Sequence, residues 1–295
     1  MPTLLVLAGP TAVGKTACAI SWAEALHTEI ISADSRQFYK EIPIGTAAPS
    51  TEELQRVKHH FIGHLSICDY YNVYQYEQAV LQTLEVLFQT HDTVILTGGS
   101  GLYIDAVCRG IDDLPDADPA LRENLQRMLK EDRMEELHQM LKVKDPDYYA
   151  VVDKRNPVRL IRALEVCIQT GQSFSSLRRE QEKKRPFRIQ KYCLWLPKKQ
   201  LYERIDRRVD QMMEQGLLEE AKKLYPLKHL NALNTVGYKE LFAYIEGKNS
   251  LEEAIWQIKN NTHHYAKRQL TWFKRDKEYQ FLSPEEAAKL VPTPE

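Results

Sequence analysis

Three short stretches carry residue types that can do chemistry. Gly9-Pro10-Thr11-Ala12-Val13-Gly14-Lys15-Thr16 fits G-x-x-x-x-G-K-[ST] at every position, with an apolar run before it and a helical pattern after it. Glycines let successive backbone N–H groups point into one concavity, and the helix N-terminus adds partial positive charge. Lys15 then reaches terminal phosphate oxygens and the Thr16 hydroxyl can ligate Mg²⁺. The loop thus specifies a diphosphate or triphosphate with Mg²⁺, without specifying ATP. The second stretch is Ser32-Ala33-Asp34-Ser35-Arg36-Gln37, at the end of another apolar segment. Asp34 there can be a Mg²⁺ ligand, a general base or a helix N-cap. The third is Thr97-Gly98-Gly99-Ser100, which closes Val94-Ile95-Leu96. A nucleoside triphosphatase usually carries a Mg²⁺-binding acid at this place.

The elements that must hold these residues are legible in outline. Thr3–Ala8, Glu29–Ser32, Val94–Thr97 and Tyr192–Leu196 read as strands. Lys15–Leu26 has helical periodicity, and Tyr76, Val80, Leu84 and Leu87 recur at helical spacing. Strands alternating with helices predict an α/β fold with a P-loop NTPase-like parallel sheet. In such sheets ligands bind beyond the carboxyl ends of the strands, which puts Asp34 beside the phosphate loop. At Leu114-Pro115-Asp116-Ala117-Asp118-Pro119 the character changes, and only helical patterns follow to about Pro186. The expected organisation is a catalytic core of residues 1–113 and 191–295, with an inserted all-helical subdomain over 114–190.

Composition bounds the class. The chain of 295 residues has ordinary hydrophobicity and abundant charge, so a soluble globular protein is expected. Cys18, Cys68, Cys108, Cys167 and Cys193 form no C-x-x-C pair, which argues against a disulfide framework or thiolate metal site. The N-terminal apolar run lacks a basic flank and reads as a strand rather than a signal peptide. A cytoplasmic location with no membrane contact is the expectation, and no obligatory protein partner is evident. The formal charge of −1 hides an asymmetry: residues 1–120 hold six Lys/Arg against fifteen Asp/Glu, and the remainder carries the opposite excess. Uneven decoration and a polyanion-facing second part both account for it.

Within the helical block, Asn156-Pro157 opens a helix and Gly171 is placed to stop it. Arg155, Arg159 and Arg162 share one ridge, opposite Leu160, Ile161, Leu164 and Ile168. The run Arg178–Arg188 is a second basic tract, suited to phosphate contact or to a solvated linker. His59, His60 and His64 lack a completing acid or cysteine at ligand spacing and read as structural.

Taken together, GPTAVGKT, ISADSRQFYKEIPIGTAAPS, TGGSGLY, NPVRLIRALEV and AKRQLTWFKRD resemble, in order, the signature blocks of the tRNA dimethylallyltransferase (tRNA isopentenyltransferase, IPP transferase) family. The resemblance spans Gly9 to Asp276. It implies that Gly9–Thr16 hold the diphosphate of dimethylallyl diphosphate, with Lys15 and Mg²⁺ on Thr16 stabilising the leaving group. It makes Asp34 the proton acceptor and Ser100 a positioning hydroxyl. The family usually has Thr at the place of Ser100, so a hydroxyl survives and a methyl is lost. It implies transfer of the prenyl group to N6 of the adenosine just 3′ of a tRNA anticodon. The tRNA anticodon stem-loop would meet Asp34, Ser35, Arg36, Gln37, Ser100, Arg122, Val158, Arg159, Leu160, Ile161 and Arg162. Prenyl transfer to free AMP or ADP, a P-loop small-molecule kinase, and a nucleotide-sensing RNA-binding protein remain as alternatives.

Overall fold

A computed structural model describes residues 1–178 and 182–290. The chain divides into two compact units, Met1–Arg109 with Lys184–Glu295, and Gly110–Lys183.

The first unit is built on a six-stranded sheet. It begins with β1 (Thr3–Ala8), α1 (Lys15–Leu26), β2 (Ile30–Ser32), α2 (Thr51–Arg56), β3 (His59–His60), α3 (Val73–Leu87), β4 (Thr93–Gly98) and α4 (Gly101–Arg109). The second unit consists of α5 (Pro119–Lys130), α6 (Met134–Lys144), α7 (Pro146–Val151), α8 (Pro157–Thr170) and α9 (Phe174–Leu177). The chain then returns with β5 (Arg188–Leu194), α10 (Lys198–Glu214), α11 (Leu217–Leu224), α12 (Tyr238–Ile245), α13 (Leu251–Phe273), β6 (Gln280–Leu282) and α14 (Pro284–Lys289).

All strand pairs are parallel, in the order β3-β2-β4-β1-β5-β6. A parallel sheet is covered on both faces, which explains why β1 and β4 are nearly continuous apolar runs. Alternate residues feed two cores. Leu4, Val6, Val94 and Leu96 pack with Tyr76, Val80 and Leu84 of α3 and Ile104 of α4. Leu5, Leu7, Ile30 and Ile95 pack with Ala19, Trp22 and Ala23 of α1. Register brings the carboxyl ends together: Ala8 lies opposite both Gly98 and Cys193, and Ser32 lies opposite Thr97.

Two strands have no sequence signature. β3 and β6 are two and three residues long, too short to show a period. The strand expected at Tyr192–Leu196 instead occupies Arg188–Leu194, because its pairing runs from Thr3↔Arg188 to Ala8↔Cys193. Phe187 lies in the core of the sheet unit. The histidines are engaged locally. His59 Nδ1 meets Val57 O at 2.8 Å, His60 Nε2 meets Glu29 at 2.5 Å, and His64 packs against Phe38, Phe61 and Tyr71.

In the helical unit, α8 is capped as its sequence requires. The Asn156 side chain accepts from Arg159 N at 3.2 Å, Pro157 opens the first turn, and Gly171 closes it at φ 69°. Its apolar face, Leu160, Ile161, Leu164 and Cys167, packs with Leu125 of α5 and Leu137 and Leu141 of α6.

Candidate active site

The helix α1 starts at Gly14, whose φ of 108° suits glycine, and no side chain caps it. Its first turn holds no acid. The N–H groups of that turn and of the end of the preceding loop, Ala12–Gly14, are therefore left for an external anion. Lys15 Nζ donates to Pro10 O at 2.7 Å, folding the ammonium over the loop. Enclosure pulls its pKa down to about 8; Asp34 opposes this shift and the neighbouring Arg208 adds to it.

The loop opens onto a cleft of about 990 Å³, whose wall includes Lys15, Thr16, Asp34, Arg36, Gln37 and Arg208. Asp34 follows β2. Its Oδ1 accepts from Arg36 N at 3.0 Å, which fixes the carboxylate and leaves Oδ2 for a second donor. Arg36 reaches away to the carbonyls of Asn231 and Ala232, at 3.0 and 3.2 Å. Gln37 donates to the carbonyls of Thr46 and Ala47, at 3.2 and 3.1 Å, and so ties the 43–48 loop to the cleft wall. Ser100 Oγ accepts from Ser35 N at 3.0 Å and bonds Ser35 Oγ at 3.1 Å. Asp34, Ser35 and Ser100 are thus one assembly, although 65 positions separate the two serines.

The glycines after β4 have a steric cause. A Cβ on Gly98 would collide with the Ala33 backbone, and one on Gly99 with the Gln269 carboxamide. The turn is small because β2 and α13 close on it.

Arg208, Gln269 and Tyr265 belong to this site; no motif marks Arg208 or Tyr265, and Gln269 lies inside the AKRQLTWFKRD stretch with nothing in its spacing to mark a role. Arg208 of α10 donates to Ala47 O at 3.2 Å and approaches Thr11 Oγ1 at 3.4 Å. Burial lowers its pKa, with Asp34 acting in the opposite sense. Gln269 of α13 accepts from Thr11 N and donates to Gly99 O, both at 2.9 Å. Tyr265 lines the cleft near Ser100. The aromatics of the AKRQLTWFKRD stretch that face inward, Trp272 and Phe273, pack with the sheet core. Lys267 and Arg268 are exposed.

The remaining expected residues lie in the helical unit. Val158 and Arg159 are exposed, whereas Leu160 and Ile161 are buried in that unit's core and present no surface for contact. Arg122 and Arg162 converge on Glu165, which is fully buried. Arg122 holds it through two bonds of 2.6 and 2.7 Å, and Arg162 approaches it at 3.6 Å while donating to Pro115 O at 2.9 Å. The ridge read as three solvent-facing arginines is thus divided: Arg155 and Arg159 face solvent, and Arg162 turns inward. The basic tract at 178–188 is divided too. Arg185 pairs with buried Glu77 at 2.6 Å, and residues 179–181 lie outside the described residues.

A parallel sheet with a glycine-rich loop feeding a helix N-terminus, and the Asp34 carboxylate in the wall of the same cleft, defines a P-loop fold with a site suited to a phosphorylated ligand. The sequence matches the IPP transferase family over residues 37–276. It is 52% identical to tRNA dimethylallyltransferase 1 of Phocaeicola vulgatus, covering 98% of this chain and 96% of that protein. It is 50% identical to tRNA dimethylallyltransferase 1 of Bacteroides thetaiotaomicron, covering 99% and 94%. The fold is similar to the crystal structure of tRNA isopentenylpyrophosphate transferase from Bacillus halodurans, with TM-score 0.69, 35% identity and coverage of 96% and 90%. It is also similar to a eukaryotic dimethylallyltransferase acting on tRNA, with TM-score 0.77, 27% identity and coverage of 96% and 74%. The chain belongs to the tRNA dimethylallyltransferase (IPP transferase) family.

Proposed function

We propose that this protein transfers the dimethylallyl group of dimethylallyl diphosphate to N6 of the adenosine just 3′ of the anticodon in tRNA, releasing diphosphate. Family membership supports prenyl transfer to tRNA. One observation carries the assignment of the site: the phosphate loop with Lys15 and Arg208 shares one cleft with Asp34, and β4 runs into Gly98-Gly99-Ser100 rather than an acid.

The reaction breaks the allylic C–O bond, and its electron pair leaves with the diphosphate. The N6 lone pair forms the new C–N bond, and the N6 proton is taken up by a base. Amides of Ala12–Thr16, with Lys15 and Arg208, neutralise the leaving group. Asp34 accepts the proton through the carboxylate oxygen that Arg36 N does not hold. Ser100 keeps the Asp34 segment in place through Ser35. Exocyclic amines are weak nucleophiles, so alignment of acceptor and donor is a large part of the catalysis.

Mg²⁺ fits this donor set in one way. Thr16 lines the cleft at the first turn of α1, where a hydroxyl can reach a phosphate-bound cation. Among the described residues no group of three or more His, Cys, Asp or Glu forms a metal site, so the diphosphate itself would supply further ligands. When bound, the cation adds positive charge at the departing diphosphate.

For the acceptor, Val158 and Arg159 at the start of α8, with Arg155 just before it, are the exposed residues that would meet the anticodon stem-loop. A base inside a loop must be extruded for its exocyclic amine to reach the cleft, and loop bases unstack at low cost. Among the described residues no helix is long and apolar enough to cross a membrane. Incubation with Mg²⁺ and labelled dimethylallyl diphosphate, with tRNA, AMP or no acceptor, tests the proposal. Label should enter tRNA alone. Label in AMP, or turnover of ATP with a metabolite acceptor, would replace it.

A further inference from the structure

One face of α13 grips the turn after β4. Tyr265, Gln269 and Trp272 stand at i, i+4 and i+7 and so share that face. Tyr265 stands near Ser100, Gln269 bonds Gly99, and the Trp272 indole fills the space a Cβ on Gly101 would need. Trp272 Nε1 is itself held by Asp105 at 2.9 Å.

Gln269 does more than brace the turn. Its Oε1 accepts the N–H of Thr11, inside the phosphate loop, and its Nε2 donates to the carbonyl of Gly99. Gln269 is buried, at 6% exposure, and each end of its carboxamide has the partner its chemistry demands. A flipped amide would set a donor against a donor and an acceptor against an acceptor, so the group holds one orientation. A single planar side chain therefore spans the diphosphate loop and the turn. From the turn the linkage continues: Ser100 N donates to Ala33 O at 3.2 Å and Ser100 Oγ holds Ser35 N, on either side of Asp34.

We propose that Gln269 is a positioning residue that couples the donor half of the site to the acceptor half. Anion binding at the loop orders Thr11, Thr11 orders Gln269, and Gln269 sets the Ser100–Asp34 assembly at the separation the reacting carbon and amine require. The mechanism rests on the prenyl-transfer reading above. Misplacement on the order of 1 Å can cost about 100-fold in rate, so such a link acts on turnover rather than on either affinity.

The test uses Gln269→Met, which keeps length and bulk and removes both hydrogen bonds, and Gln269→Glu, which retains an acceptor for Thr11 N and opposes the Gly99 carbonyl. Gln269→Met should lower kcat by about 10–100-fold, with Kd for inorganic diphosphate alone and Kd for an anticodon stem-loop RNA alone each changing less than about threefold. Gln269→Glu should fall as far, since the link to the turn is broken. Inorganic diphosphate and the RNA should strengthen each other's binding to the wild-type protein by about fivefold or more, and this factor should drop to one in Gln269→Met. That readout needs no turnover. A wild-type kcat in Gln269→Met, or a coupling factor equal to that of the wild type, overturns the role of Gln269. Absence of transfer by the wild-type protein would overturn the reaction instead, and the binding factor would still judge Gln269.

Discussion

Lys15 and Asp34 put chemical limits on the site that can be measured separately. The Lys15 ammonium, drawn down to about 8 by its enclosure, is cationic below that pH and neutral above it. In the proposed reaction its charge would serve diphosphate binding, so kcat/KM for dimethylallyl diphosphate should fall as pH rises through about 8. Bound diphosphate raises the lysine pKa, and the corresponding limb in kcat should lie higher. Lys15→Arg should push the limb in kcat/KM upward, since guanidinium keeps its charge. For Asp34, Asn preserves size and one acceptor oxygen while removing the charge and most of the basicity. Asp34→Asn should cut single-turnover transfer by roughly 10²–10⁴-fold with little change in affinity for either substrate. Poor diphosphate binding rescued by raised Mg²⁺ would make Asp34 a metal ligand. A loss of about 1 kcal/mol in stability with turnover intact would make it a local cap.

The helix α8 shows how one element serves two ends. Its caps and apolar stripe fix its place in the helical unit, and its exposed face is left with Val158 and Arg159, with Arg155 exposed just before the N-cap. Arg159→Ala should weaken tRNA binding and lower the log–log salt slope by about 0.7–0.9, the value for one phosphate contact. Arg122→Ala should behave differently. It strips both close hydrogen bonds from a buried carboxylate, and should lower the stability of the unit by about 2 kcal/mol in a denaturant titration. A shifted salt slope with an unshifted unfolding midpoint in Arg122→Ala would return Arg122 to the RNA-contacting surface.

In the sheet unit, one buried ion pair stands where the helical block leaves and returns. Arg185 follows that block by two residues, donates to the carbonyls of Ala106 and Val107 near the end of α4, and pairs with Glu77 of α3. Both side chains are nearly inaccessible, at 7% and 0% exposure. Removing Arg185 takes the guanidinium away from a buried carboxylate. Arg185→Ala should therefore cost about 3–5 kcal/mol in the midpoint-derived unfolding free energy. A cost near that of an exposed pair, below about 1 kcal/mol, would show that water reaches Glu77.

Local order along the chain was sufficient for much of this. A phosphate loop is a contiguous motif, and α1 spans Lys15–Leu26 as its periodicity predicts. The caps of α8 lie at its own ends, and β1 and β4 declare themselves by continuous apolar residues that only a doubly covered sheet can bury. Pairing across the chain left no such trace. Gln269 lies 258 positions from Thr11, and Arg208 lies 197 positions from it, so no spacing rule connects them. Arg162 and Arg185 looked like solvent-facing members of basic runs. Folding set each of them against a buried glutamate, because a carboxylate in the interior is tolerated only with a counter-charge. Gly98 and Gly99 were plain in the sequence as a small-residue turn, but their cause was not. It is the approach of the Ala33 backbone and the Gln269 side chain, two segments that become neighbours only when β2 and α13 close around β4.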